Sequence, residues 1–308
     1  RPPASRRALA AVMSGPAVGT RAPEALATIA ASARPRRERS LGAWWAWLIF
    51  AAGALYFFVP LLATLEFSLR ACAPPNQPCT APDLSAYSNV LQGEEFYEKF
   101  GYSILVGLVT IVVSLLIIVP TAYWVRLRLP RLRPIVEFVT LLPFVIPPVV
   151  LVFGLIRVYS RPPLQFTATE LSSTALLVCA YVVLSFPYMY RAVDAGLAAM
   201  DVRVLTEAAQ SMGAGWGRIL WSVIFPNLRT AALSGAFLTL AIVIGEFTIG
   251  NFLAPWGFGP YLSLLGRDKI YEPAAVSLIS FGLTWLAMIF IAVVGRGRGS
   301  RVQVAGAR

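Results

Sequence analysis

The sequence predicts an all-α membrane protein with six transmembrane helices, on three observations: how apolar the chain is, how its charges are spaced, and where its arginines fall. Of 308 residues, 57% are hydrophobic and 13% charged, and the mean hydropathy is +0.69, well to the apolar side of water-soluble chains. Leu41 to Leu65, Gly101 to Val125, Phe138 to Ile156, Leu171 to Tyr190 and Pro273 to Gly295 contain no Asp, Glu, Lys or Arg, and a run from about Ala231 to Phe252 is interrupted only by Glu246. A helix needs about 20 apolar residues to cross about 30 Å of hydrocarbon, so each run is long enough. Lipid offers the backbone no hydrogen-bond partner, so a spanning segment must be a helix or part of a closed barrel, and these continuous runs lack the alternation of barrel strands.

The spans are predicted at about 43–65, 101–125, 136–157, 171–190, 231–252 and 273–294, within a membrane domain covering 41–295. The first is too long, and too well furnished with Trp44, Trp45 and Trp47 at its start, for a cleavable signal peptide. Residues 1–40, rich in Ala, Arg, Pro and Ser and free of aromatics until the span begins, are expected to be a disordered basic cytoplasmic lead. Residues 296–308 are expected to be a cytoplasmic tail. Eight Lys and Arg residues lie before Leu41, four between Arg126 and Arg133, four between Arg191 and Arg229 and four after Gly295, against six on the other side of a six-span arrangement. Positive residues concentrate in cytoplasmic loops, which puts both termini in the cytoplasm and gives the net charge of +11 a topological cause. The partner implied is the lipid bilayer; the basic residues are spread over four segments without interleaved aromatics, so no nucleic acid is expected.

The longest external segment, Glu66 to Phe100, carries four prolines and then an acidic cluster, Glu94, Glu95 and Glu98. Cys72 and Cys79 lie in it, in an oxidising compartment on this topology; a disulfide and two unrelated thiols are both open readings. Cys179, inside the fourth span, reads as a small buried hydrophobe. With no histidine, Ser-His and Cys-His nucleophile pairs and His metal sites are excluded, and three scattered cysteines build no metal site. Lys99 and Lys269 are the two lysines and neither follows a glycine, so the phosphate-cradling loop of ATPases is absent. No catalytic residue, metal or cofactor is assigned to this chain.

Between the fourth and fifth spans, 191–230 forms the longest predicted cytoplasmic loop. Asp201 can cap a helix over Val202 to Ser211, and Gly213 can supply the left-handed residue that ends it. A second turn is predicted from about Trp216 to Ile224, stopping before Pro226 because the residue preceding a proline is pushed out of the helical region. Ala208 and Ala209 on one face would permit close approach to a partner, and Glu207 could pair with a basic residue there. Glu137, four residues after Arg133, is read as a local ion pair.

Glu207-Ala208-Ala209, then Gly213, Ile219 and Phe225-Pro226, resemble the EAA signature of binding-protein-dependent ABC importer permeases of type I, in which a short helix-turn-helix loop docks on the ATPase. The chain departs from the family pattern at the turn, where Gly215-Trp216-Gly217 stand. The resemblance runs from about Tyr102 to Val294 and includes Leu141-Leu142-Pro143 through Pro147-Pro148, and Gly196-Leu197 with Met200-Asp201. It implies the type I permease fold in a bacterial inner membrane, two ATP-binding subunits that use the ATP and Mg, a second permease, identical or paralogous, and a periplasmic solute-binding protein. Glu207, Ala208, Ala209, Gly213, Ile219 and Pro226 would then serve ATPase coupling.

Pro143 and Pro147 should kink the third helix, and such kinks are tolerated where neighbours or water satisfy the freed carbonyls; a translocation pathway is one such place and a packed structural kink another. Glu246 is an ionisable group in an apolar span and should face the pathway. It could meet a cationic solute, pair with Arg267, or cap a helix broken at Gly245 and Gly250. Ile244 to Ile249 are most similar to permeases of the polyamine, iron and phosphonate branch, which implies a polyamine such as spermidine or putrescine first, with ferric iron or a phosphonate as alternatives. The rival reading is an ion-coupled secondary transporter or channel without an ATPase, which would show intramembrane carboxylates or broken helices in matched halves.

Overall fold

The computed structural model describes residues 43–70 and 82–295, so the lead, the tail and the Cys72 and Cys79 pair lie outside the described residues. The chain divides between Val59 and Pro60 into two compact units. The first contributes, among described residues, the opening turns of helix α1 (Ala43–Ser68), an all-round apolar helix with exposed side chains.

The second unit begins with the end of α1. The Ser68 hydroxyl meets the Tyr87 hydroxyl at 2.6 Å, and Phe67 packs on Tyr271 with ring centroids 5.1 Å apart. The described part of the segment expected to be an external loop is largely helical: α2 (Ser85–Gln92) is followed by α3 (Glu94–Arg128). Glu94, Glu95 and Glu98 therefore stand on the first turns of a 35-residue helix, not in a loop. That helix is roughly 50 Å long and exceeds the hydrocarbon thickness. Its acidic start and its Arg126 and Arg128 end both complement the helix dipole.

The third apolar run is not one helix. α4 (Arg133–Val145) and α5 (Pro148–Tyr159) meet at 96°. Pro147 and Pro148 remove two donors, and Ile146 and Pro147 are extended, which turns the expected kink into a break. α6 (Glu170–Ala198) starts on a reciprocal cap between Thr169 and Ser172 and runs past the predicted end at Tyr190. The fifth run also breaks: α9 (Arg229–Gly245) stops at Glu246 and is followed by α10 (Thr248–Leu253) and by an unforeseen α11 (Phe258–Asp268). α12 (Glu272–Gly295) closes the described chain. Among the described residues, four helices could cross a membrane by length and composition, or up to six if each bent pair is one span.

α3, α6 and α9 form the core, and small residues let them approach. Ser114 and Ser185 share a buried hydrogen bond of 2.7 Å between α3 and α6. A Cβ at Gly196 would stand 2.5 Å from Ala231 Cβ and 2.8 Å from Leu228 Cδ2. Gly196→Leu is accordingly expected to force α6 away from α9 at a cost of about 1–3 kcal/mol or more, seen as a lower thermal unfolding midpoint in detergent; an unchanged midpoint would mean that the helices are not in register at Gly196.

Candidate functional site

The loop after α6 folds as a helix-turn-helix. The Asp201 carboxylate accepts the Val204 amide at 3.1 Å and starts α7 (Val202–Ser211). α7 ends in a Schellman turn: Gly213 donates to the Gln210 carbonyl at 2.8 Å and Ala214 to the Ala209 carbonyl at 3.0 Å, with Gly213 at φ +79°. Gly213→Ala places a Cβ in the left-handed region and should cost about 1 kcal/mol, seen as faster amide exchange over 202–214. Gly213→Asn should be close to silent, because asparagine tolerates that conformation.

The second helix, α8 (Trp216–Asn227), departs from expectation. It does not stop at Ile224, since Ile224 (φ −75°, ψ −53°) and Phe225 (φ −58°, ψ −43°) are both helical and Leu228 donates to the Ile224 carbonyl across Pro226 at 3.1 Å. A widened π-helical turn over Ile219–Ile224 precedes the proline. The complete burial of Ile219, Ile224 and Leu228 in one cluster outweighs the pre-proline preference. α8 then meets α9 at 77°.

The two alanines do not share a face. Ala209 is buried against the cluster of Ile219 and Ile224, whereas Ala208 is exposed beside Glu207, because successive helix residues diverge by about 100°. Val204, Ala208 and Met212, spaced one turn apart, form an exposed apolar stripe, with Met212 81% accessible. Glu207 is 68% exposed and approaches Arg203 only to 3.9 Å. The knob is seated on α3: the buried Tyr123 hydroxyl meets Thr206 Oγ1 at 3.0 Å, Trp216 packs on Trp124 at 5.0 Å, and the Arg128 guanidinium lies 5.3 Å over the Trp216 ring. Sequence reasoning missed these anchors. No local spacing marks Tyr123 as a partner of Thr206, though aromatic and cationic residues at the end of α3 were a signal that something packs there.

The second feature is the break at Glu246. Its Oε1 and Oε2 accept the Ile249 amide at 2.9 and 2.8 Å, Oε2 accepts the Gly250 amide at 3.1 Å, and the Tyr181 hydroxyl donates to Oε2 at 3.3 Å. Glu246 thus caps the helix that follows the break, one of the roles expected of it, and among described residues no ion pair joins it to Arg267. A cavity of about 10 Å³ beside it, bounded by Tyr102, Tyr181 and Gly250 among others, is about the size for one water. α10 packs on α5, with Phe153 and Phe252 rings 4.9 Å apart and Val152, Ile249 and Leu253 buried together. The segments following the two helix breaks thus lie against each other. Pro143, on the last turn of α4, and Pro147 flank the first break.

The apolar helices, two bent helix pairs and helix-turn-helix loop describe a multi-pass membrane protein. The chain belongs to the family described as the binding-protein-dependent transport system inner membrane component, which matches residues 114–297; it is a type I ABC importer permease. It is 30% identical over 217 residues to a protein of Sinorhizobium fredii named as an ABC transporter permease, y4fN, covering 68% of this chain and 38% of that protein, so the chain spans about two fifths of that relative's length. A protein of Salmonella typhimurium named as the permease PhnV of a 2-aminoethylphosphonate transport system is 26% identical over 252 residues, covering 80% of this chain and 92% of the relative. The molybdenum transport system permease ModB of Escherichia coli is 32% identical over 122 residues, covering 37% and 53%. The crystal structure of a bacterial ABC transporter involved in import of the acidic polysaccharide alginate shares the fold, with a TM-score of 0.52 at 21% identity, covering 85% of this chain and 98% of that chain.

Proposed function

We propose that this chain forms the translocation pathway of an importer for a small oxyanion such as a phosphonate, delivered by a periplasmic solute-binding protein. It crosses the membrane six times with both termini in the cytoplasm, each bent helix pair counting as one span. A second permease, identical or paralogous, completes the pathway, and two ATP-binding subunits dock on α7 and α8 and use ATP and Mg. This chain holds no cofactor. Glu207, Ala208 and the exposed stripe are the docking face, while Ala209, Gly213, Ile219 and Pro226 hold that face rigid. Pro143, Pro147 and Glu246 shape the pathway at the two breaks.

The observation that carries the solute class is the state of Glu246. Both carboxylate oxygens are engaged by backbone amides and Tyr181, so much of the charge is already taken up by the fold, and the support for a cationic solute weakens. The names of two relatives, one for 2-aminoethylphosphonate and one for molybdenum, fit an oxyanion. The test is ATP hydrolysis by the purified complex in lipid vesicles, stimulated by binding protein loaded in turn with 2-aminoethylphosphonate, molybdate, spermidine or ferric iron. Stimulation by an oxyanion is the expected result; stimulation by spermidine alone would restore the polyamine. A chain that transports without any associated ATPase would be a secondary transporter.

A further inference from the structure

Beyond the docking face and the two breaks, one charged cluster ties three helices together. Asp194 lies near the end of α6, just before the chain passes through Ala199 and Met200 into the Asp201 cap of α7. Arg126 Nη1 donates to its Oδ1 at 3.1 Å and approaches its main-chain carbonyl at 3.5 Å, while Arg133 Nη2 donates to Oδ2 at 2.8 Å. Arg133 Nε also reaches Glu137 at 2.9 Å, the ion pair expected from the sequence. Arg126 closes α3 and Arg133 opens α4, on either side of the turn Pro130–Leu132. The Asp194 side chain is 15% exposed, against 29% for Arg126 and 47% for Arg133.

Two of these residues stand against the dipole of their own helix. A cation at the first residue of α4 meets the positive end, and an anion in the closing turns of α6 meets the negative end. Neither placement favours its helix alone; together they satisfy each other and join α4 to α6, and the planar guanidinium fixes the geometry. The cluster borders an open groove of about 360 Å³, lined also by Thr140, Tyr190 and Arg191, while further along Phe144 of α4 packs on Tyr188 of α6 with ring centroids 5.1 Å apart.

We propose that Asp194 is the positioning residue through which movement of the α7 and α8 loop reaches the broken third span. The inference rests on the reading of that loop as the ATPase docking face. Displacement of α7 pulls on the end of α6; Asp194 passes it to Arg133 at the start of α4, and α4 ends at the break beside Pro147. Arg126 holds the same carboxylate to α3, so the hairpin between α3 and α4 follows α6 as one body.

The test uses the full complex with its ATP-binding subunits, measured by hydrogen exchange with and without Mg and a non-hydrolysable ATP analogue. In the unaltered complex the nucleotide should change exchange both in 202–212 and in 139–146. In Asp194→Asn the change in 202–212 should persist, and that in 139–146 should shrink by on the order of tenfold. Arg133→Gln, at a half-exposed position, should act in the same way if Asp194→Asn fails to assemble, and Asp194→Glu should recover the response. A purely structural residue would not split the two segments. Full transmission to 139–146 in Asp194→Asn or Arg133→Gln overturns the proposal, and so does an unaltered complex that responds in 202–212 alone. No response in 202–212 of the unaltered complex defeats the docking reading itself, and the role of Asp194 with it.

Discussion

Replacing Glu207 by lysine is expected to abolish recovery of the ATP-binding subunits with this chain while leaving its insertion into the membrane unchanged. The fold has little at stake at this position. The side chain is 68% exposed and its contact with Arg203 is long at 3.9 Å, and surface substitutions of this kind are usually within about 0.5 kcal/mol of neutral. An interface is far less tolerant. A reversed charge pressed against a partner that had met a carboxylate costs about 2–5 kcal/mol, and since each 1.4 kcal/mol is about tenfold in affinity, binding should weaken by roughly 30-fold to several thousandfold. Glu207→Gln removes the attraction without adding repulsion and should fall between the two. The readout is the yield of ATP-binding subunit recovered with tagged chain from solubilised membranes, scored against the chain itself. Recovery of Glu207→Lys complexes at the unaltered yield would rule out the docking face proposed for α7.

Glu246→Gln should slow uptake by on the order of ten- to hundredfold without loosening the complex. The carboxylate accepts two backbone amides from the opening of α10 and a phenol from α6. Glutamine keeps one acceptor oxygen, turns an amide donor toward those N–H groups, and loses the charge that strengthens each bond. Charge-assisted hydrogen bonds contribute about 1.5–3 kcal/mol, so the break between Gly245 and Phe247 loses its polar anchor and keeps only the packing of α10 on α5. Because the 17-residue helix α9 separates Glu246 from α8, recovery of ATP-binding subunits should be normal. The measurement is initial uptake into vesicles over a range of loaded binding protein: a lower maximal rate at unchanged half-saturation fits a residue that shapes the pathway. An unchanged uptake rate in an intact complex would remove Glu246 from the pathway.

Much of the helix-turn-helix could be read in advance. The Asp201 cap and the Gly213 left-handed turn are local events, decided by one side-chain oxygen within three residues and one missing Cβ. The extent of α8 could not be, because a pre-proline residue disfavours the helix locally and only the burial of Ile224 and Leu228 against α6 overrides it. The split between Ala208 and Ala209 follows from helix geometry alone and was within reach of the sequence. Tyr181, by contrast, lies on α6 and meets Glu246 only because α6 and α9 pack side by side, and nothing in the spacing of either run announces it.

The apolar runs by themselves determined a helical membrane protein, because lipid leaves the backbone no other partner, and the absence of histidine from the sequence excludes the chemistry that needs it. The loop motif determined the family. Where the third and fifth runs break, which helix each freed segment rests against, and how Asp194 gathers Arg126 and Arg133 were decided only in three dimensions. Composition fixes whether a segment can lie in lipid; the angle at Pro147 or Glu246 depends on which distant groups, such as Phe252 for α5 or Tyr181 for the Glu246 carboxylate, are there to meet it.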